Sequence, residues 1–181
     1  MCIRDSSTAL CGGYTAGRSA GRAVEGVNTP DPVDREEVRA EEQRVMAPLG
    51  RDEGFEPKEF EDLIRQIMMH YMGHKRSRAG LNIALEKLKL VEDNIPKIKA
   101  ENLHELTRAN EAVHLLTYCR LMIHSVINRK GMRGFYNLVD YPPKLDPELR
   151  GKYVAISQEN QELKVTFEPI EPEDREVPHA A

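Results

Sequence analysis

The sequence lacks the features that mark several functional classes. Its three cysteines, Cys2, Cys11 and Cys119, make neither an even disulfide framework nor a CxxC pair, which fits a reducing compartment and leaves no cysteine set to hold a cluster. No run is apolar and long enough to read as a membrane span, and no signal-peptide core is recognisable. Basic residues do not dominate. Lys and Arg number 26 against 30 Asp and Glu, and the net charge of −4 is spread through mixed runs. That balance offers no face for neutralising phosphates and argues against nucleic acid as a partner. A GxGxxG strand-turn-helix is also missing, so the chain has no pyrophosphate cradle of its own.

What is present reads as one domain with tails, because 181 residues at 40% hydrophobic content can bury a core. Residues 1–6 show no helical or strand pattern and are expected to be an assembly scar in place of upstream sequence. Residues 7–25 carry Gly12, Gly13, Gly17 and Gly21 among alanines, which predicts a helix that something bulky must approach closely. After a linker, Asp31 reads as an N-cap and Pro32 as a first helical residue, opening a solvated, charge-rich helix to about Ala47.

Three long amphipathic helices follow. The first starts at Pro57, carries Phe60, Leu63, Ile64, Ile67, Met68 and Tyr71 on one stripe, and stops at Gly73. The second is capped by Ser77 and shows Leu81, Ala84, Leu85, Leu88 and Val91 on one face, ending at Asn94 or Pro96. The third covers residues 102–130, with a stripe from Leu103 to Ile127 and Gly131 as its stop. Cys119 lies on that stripe and is expected to be a small buried side chain, since no activating base is identifiable.

The histidines do not form a ligand set. Gly73 is expected to end the helix between His70 and His74, and His104, His114 and His124 are separated by steps that rotate by roughly 280°. Residues 152–156 and 163–167 alternate like two strands of a hairpin, and the acidic, proline-rich tail past Pro172 is expected to be poorly ordered. The fold class is therefore mainly α: a bundle of three long helices plus a glycine-rich N-terminal helix, with a small C-terminal β-hairpin. From these features alone, a stand-alone helical protein-interaction module without catalysis stays open.

Two stretches carry a resemblance. The segment from Ser7 to Ala23, with Gly12, Gly13, Gly17 and Arg18, resembles the last FAD-binding segment of fumarate reductase and succinate dehydrogenase flavoproteins, where a helix begins beneath the flavin. The segment from Glu101 to Asn110, together with Arg133 to Pro142, resembles the C-terminal helical domain of the same family. Met132, Tyr136 and Leu138 depart from the family's usual serine, histidine and arginine, and Tyr136 with the run from Pro143 to Asp146 looks more like the adenylylsulfate reductase alpha subunit.

The resemblance implies the C-terminal part of an FAD-dependent oxidoreductase, inactive by itself. It places Ala9 and Leu10 at the flavin, with Ser7, Thr8, Gly12 and Gly13 as neighbouring contacts. Arg133 and Asp140 read as an ion pair or turn contact at the exit of the long helix, and Arg133 is the better of the two for substrate contact. His104 and Arg108 are expected to pack the helical domain against the flavin domain. Residues 7–27 would close the FAD-binding domain, 28–56 would be linker and helix, 57–170 the helical domain and 171–181 a disordered tail. The implied partners are the missing FAD domain of the same chain, an iron-sulfur electron-transfer subunit and a small anionic substrate. The implied location is cytoplasmic, or peripheral at the inner face of the membrane through a partner.

Overall fold

The computed structural model describes residues 3–26, 32–130, 137–141, 147–159 and 162–170, and the side chains of 3–8 fall outside that description. The chain divides into two compact units, Met1–Glu41 and Glu42–Ala181. Gly131, Arg133, Tyr136 and the tail past Glu171 lie outside the described residues.

In the first unit, α1 spans Ile3–Ala23. It starts four residues before Ser7, because no proline or glycine between Ile3 and Leu10 interrupts the backbone ladder. Every described residue from Ala9 to Gly26 is exposed, and Gly26 has φ of 89°. The next helix, α2, covers Arg35–Met46 and has no buried residue. Its start is later than the one read from Asp31 and Pro32. Asp34 caps the helix, accepting a hydrogen bond from the Glu36 amide at 2.8 Å, and Asp31 lies outside the described residues.

The second unit is the expected bundle. Helices α3 (Pro57–Tyr71), α4 (Arg78–Glu92) and α5 (Leu103–Arg129) pack on one another around Phe60, Ile64, Leu81, Leu88, Leu116 and Ile123, each no more than 2% exposed. Each helix starts where its sequence provides a cap. Glu56 and Glu59 form a reciprocal capping box before α3, with Pro57 at the first position. Ser77 accepts from the Gly80 amide at 3.1 Å, and Asn102 accepts from the Glu105 amide at 3.0 Å. At the far end of α5 the left-handed turn falls on Lys130, with φ of 49°.

Residues 45–56 are part of this packing. Pro48 is buried, and its carbonyl accepts from the Ala100 amide at 2.9 Å. Asn110 donates to the Val45 carbonyl at 3.1 Å, and Arg51 donates to the Ile98 carbonyl. Phe55 exchanges backbone hydrogen bonds with Lys97 and Lys99. That close approach requires Gly54, where a Cβ would lie 2.1 Å from the Lys97 carbonyl oxygen and φ is 149°. The hairpin pairs β1 (Lys152–Glu159) antiparallel with β2 (Glu162–Pro169), and β1 packs on α5. Both strands run longer than the alternation predicts: the ladder continues through polar residues next to the turn, as far as Glu159 and Glu162, and at the open end Glu168 and Pro169 pair with Tyr153 and Lys152.

Candidate functional site

The glycine-bearing helix α1 is the first candidate. A Cβ added at Gly12, Gly13, Gly17 or Gly21 would meet nothing within 4 Å. The bare backbone of these residues is therefore used by no contact inside the described chain, although four glycines weaken the helix by roughly 1 kcal/mol each relative to alanine. Leu10 is 76% exposed and Tyr14 68%, so the same helix also presents large apolar groups. Thr15 donates to the Cys11 carbonyl at 3.0 Å, which is local to the helix.

Ala9, Leu10, Gly12 and Gly13 thus share an exposed stretch, and Ser7 and Thr8 precede them on the same helix. Because α1 opens at Ile3, these six residues sit in its second and third turns. The free amides of the helix end therefore belong to the first four residues, upstream of Ser7. The glycines fit an isoalloxazine edge lying against bare backbone. For the pyrophosphate of FAD the sequence offers no glycine-rich cradle.

The second candidate surrounds the chain leaving α5. Leu138 is fully buried, and its neighbours form a parallel bridge with Arg76: the Arg76 amide donates to Asn137 at 3.1 Å and the Val139 amide donates to Arg76 at 2.8 Å. Arg76 also caps the end of α3, its Nε donating to the Gly73 carbonyl at 2.8 Å. The bridge delivers Asp140 to the start of α4, where Oδ2 accepts from the Arg78 amide at 2.6 Å. Asp140 is thus a turn and capping contact. Its sequence-predicted companion Arg133 lies outside the described residues.

Sequence reading missed a buried ionic staple. Glu61 is 8% exposed, and its Oε1 accepts from Arg108 Nε at 3.2 Å and Nη2 at 3.0 Å, while Arg65 Nη2 lies 3.0 Å from Oε2. Arg108 is therefore engaged inside the bundle, joining α5 to α3, and its described contacts do not require the packing against a flavin domain that the resemblance implies for it. His104 is exposed beside it. The 47-residue separation of Glu61 and Arg108 carries no local signal that could have found the pair.

Two titrating groups on α5 are perturbed. Burial pushes the Cys119 thiol above its ordinary value, in keeping with a packed side chain. His124 is lowered, first by burial and then by the Arg120 charge, and Arg120 itself pairs with Glu92 of α4. Among the described residues, no group of three His, Cys, Asp or Glu is arranged to hold a metal, and no helix is long and apolar enough to cross a membrane.

Comparison with known proteins adds an independent line. Residues 61–180 match the family described as "Fumarate reductase flavoprotein C-term". An uncharacterised FAD-dependent oxidoreductase of Methanocaldococcus jannaschii is 30% identical over 111 residues, covering 61% of this chain and 19% of that protein. Adenylylsulfate reductase of Archaeoglobus fulgidus superposes with a TM-score of 0.75 at 24% identity, over 85% of this chain and 27% of the other. E. coli quinol fumarate reductase gives 0.71 at 18% identity, over 86% and 28%. These structural likenesses are to the fold. The chain spans about a fifth of its curated relative and about a quarter of the solved chains.

Proposed function

Since the chain belongs to the fumarate reductase flavoprotein C-terminal family, we propose that it is the closing part of a longer FAD-dependent oxidoreductase, whose flavin it contacts through α1 and whose flavin half its bundle braces. The observation that carries this reading is a row of glycines with nothing against them among the described residues. Backbone left bare at a steady cost to helix stability is accounted for if a flat ring system lies there.

In the parent protein, Ala9 and Leu10 would lie against the isoalloxazine, with Ser7, Thr8, Gly12 and Gly13 around them. When bound, FAD supplies the hydride and electron chemistry. The residues of this chain supply orientation: backbone dipoles of a helix start favour negative charge at the nearby ring edge, and glycine removes the side chains that would hold it off. Arg133 would contact a small anionic substrate through its guanidinium. An iron-sulfur subunit is the proposed electron partner, and attachment to the inner face of a membrane would come through such a partner. Residues 7–27 would complete the FAD domain, and 57–170 would form the body of the helical one.

The present chain alone is proposed to be inactive. Mixed with FAD and passed through gel filtration, it should emerge colourless, and the longer protein expressed from its genomic reading frame should emerge yellow. A stoichiometric flavin complex with this chain alone would overturn the first expectation, and a flavin-free longer protein the second.

A further inference from the structure

One large residue of α1 has no part in the flavin contacts assigned so far. On a helix surface the neighbours of any position lie one, three and four residues away. Around Gly13 these are Ala9, Leu10, Gly12, Tyr14, Ala16 and Gly17, so only Leu10 and Tyr14 rise above the height of a methyl group. A flat ring seated on the bare backbone of Gly13 is therefore bordered by those two side chains. They stand 76% and 68% exposed on the same side of the helix, one turn apart, with about 6 Å of rise between them. A helical side chain leans toward the N-terminus and covers the turn before its own Cα. For Tyr14 that turn is residues 10–13, which holds Leu10, Gly12 and Gly13.

We propose that Tyr14 is a flavin-contacting residue of the parent protein, its phenol ring packed against the isoalloxazine seated over Gly13, an inference that rests on placing the flavin at residues 9–13 of α1. A single exposed aromatic is ordinary surface, but this one borders a patch of bare backbone that no described residue covers. Tyrosine has two groups to offer there. Its ring makes offset or edge contacts with an aromatic plane, and its hydroxyl can donate to a nitrogen or carbonyl at the rim of that plane. The next hydroxyl along the helix does not compete, because Thr15 donates to the Cys11 carbonyl at 3.0 Å. Leu10 then closes one border of the ring and Tyr14 the other, and of the two only Tyr14 carries an electron-rich π-system that the flavin spectrum can report.

The test is the emission and absorbance of bound flavin in the longer protein expressed from its genomic reading frame, with Tyr14→Phe and Tyr14→Trp beside the unchanged sequence. A phenol in van der Waals contact passes an electron to the photoexcited isoalloxazine and takes it back, with no net change, which shortens the excited-state lifetime. Phenylalanine is too weak a donor to do this. Tyr14→Phe should therefore lengthen the flavin emission lifetime several-fold at unchanged flavin content, and Tyr14→Trp should add a broad charge-transfer absorbance on the long-wavelength side of the flavin band. Full flavin content with neither change would overturn the Tyr14 contact and leave the placement of FAD intact. A colourless longer protein with Tyr14 in place would overturn the flavoprotein reading, and the contact with it. Loss of flavin from the variants alone supports the contact if the 181-residue chain carrying the same substitutions keeps its thermal midpoint, as the exposure of Tyr14 predicts. A midpoint that falls there would overturn it by making Tyr14 a structural residue of α1.

Discussion

At the scale of single residues, the bundle depends on a carboxylate that sequence patterning would place on the surface. Glu61 is held between Arg108 and Arg65, and the two arginines are not equivalent. The Arg65 side chain is 60% exposed and that of Arg108 is 33% exposed, so water screens the first pair more than the second. Arg65→Ala is expected to cost less than about 1 kcal/mol, and Glu61→Ala about 1–3 kcal/mol, because the latter leaves Arg108 half-buried without its acceptor. Urea denaturation of the two variants measures the difference.

His124 gives the chain a pH dependence of known sign. Its folded-state value is depressed by burial and by Arg120, so the unfolded chain binds the proton more readily. The stability it contributes is present above the ordinary histidine range and lost as pH falls through the folded value. Urea midpoints should drop between about pH 7 and pH 5. His124→Gln should flatten that slope, and an unchanged slope would assign it to other groups.

At the scale of elements, helix starts were largely legible in sequence and what crosses between elements was not. Ser77 and Pro57 announce their helices because capping is a matter of neighbouring residues. Asp140 capping α4 is different, since 62 residues separate it from Arg78 and only the Arg76–Leu138 bridge brings them together. Asp140→Ala and Ser77→Ala should each lower stability by about 0.5–2 kcal/mol, seen as a shift in thermal midpoint. Asp140→Asn, which keeps an acceptor, should recover most of the loss. The stripe read on α5 from Leu103 to Ile127 holds from Leu106 onward, since Leu103 in the first turn is 68% exposed, and it missed Ala112, which is fully buried because small residues let α5 approach its neighbours. Leu63 misled in the other direction: it follows the helical period of the core but faces an open hollow on the surface.

At the scale of the whole molecule, the bundle is a self-contained core, whereas α1 is a helix whose glycine backbone meets nothing among the described residues. The candidate flavin residues were legible only through resemblance, since glycines without a partner carry no chemistry of their own. Their placement in α1 also shows why register is hard to read locally: the helix runs back to Ile3 because nothing upstream stops it.

The most direct measurement is flavin content after Gly13→Leu. In this chain the substitution should leave the thermal midpoint unchanged or raise it, because a Cβ at Gly13 meets nothing within 4 Å and leucine favours a helix. In the longer protein the same change should strip FAD, read as loss of the flavin absorbance band from the purified protein. Full flavin occupancy in that variant would contradict the claim that α1 lies against the cofactor.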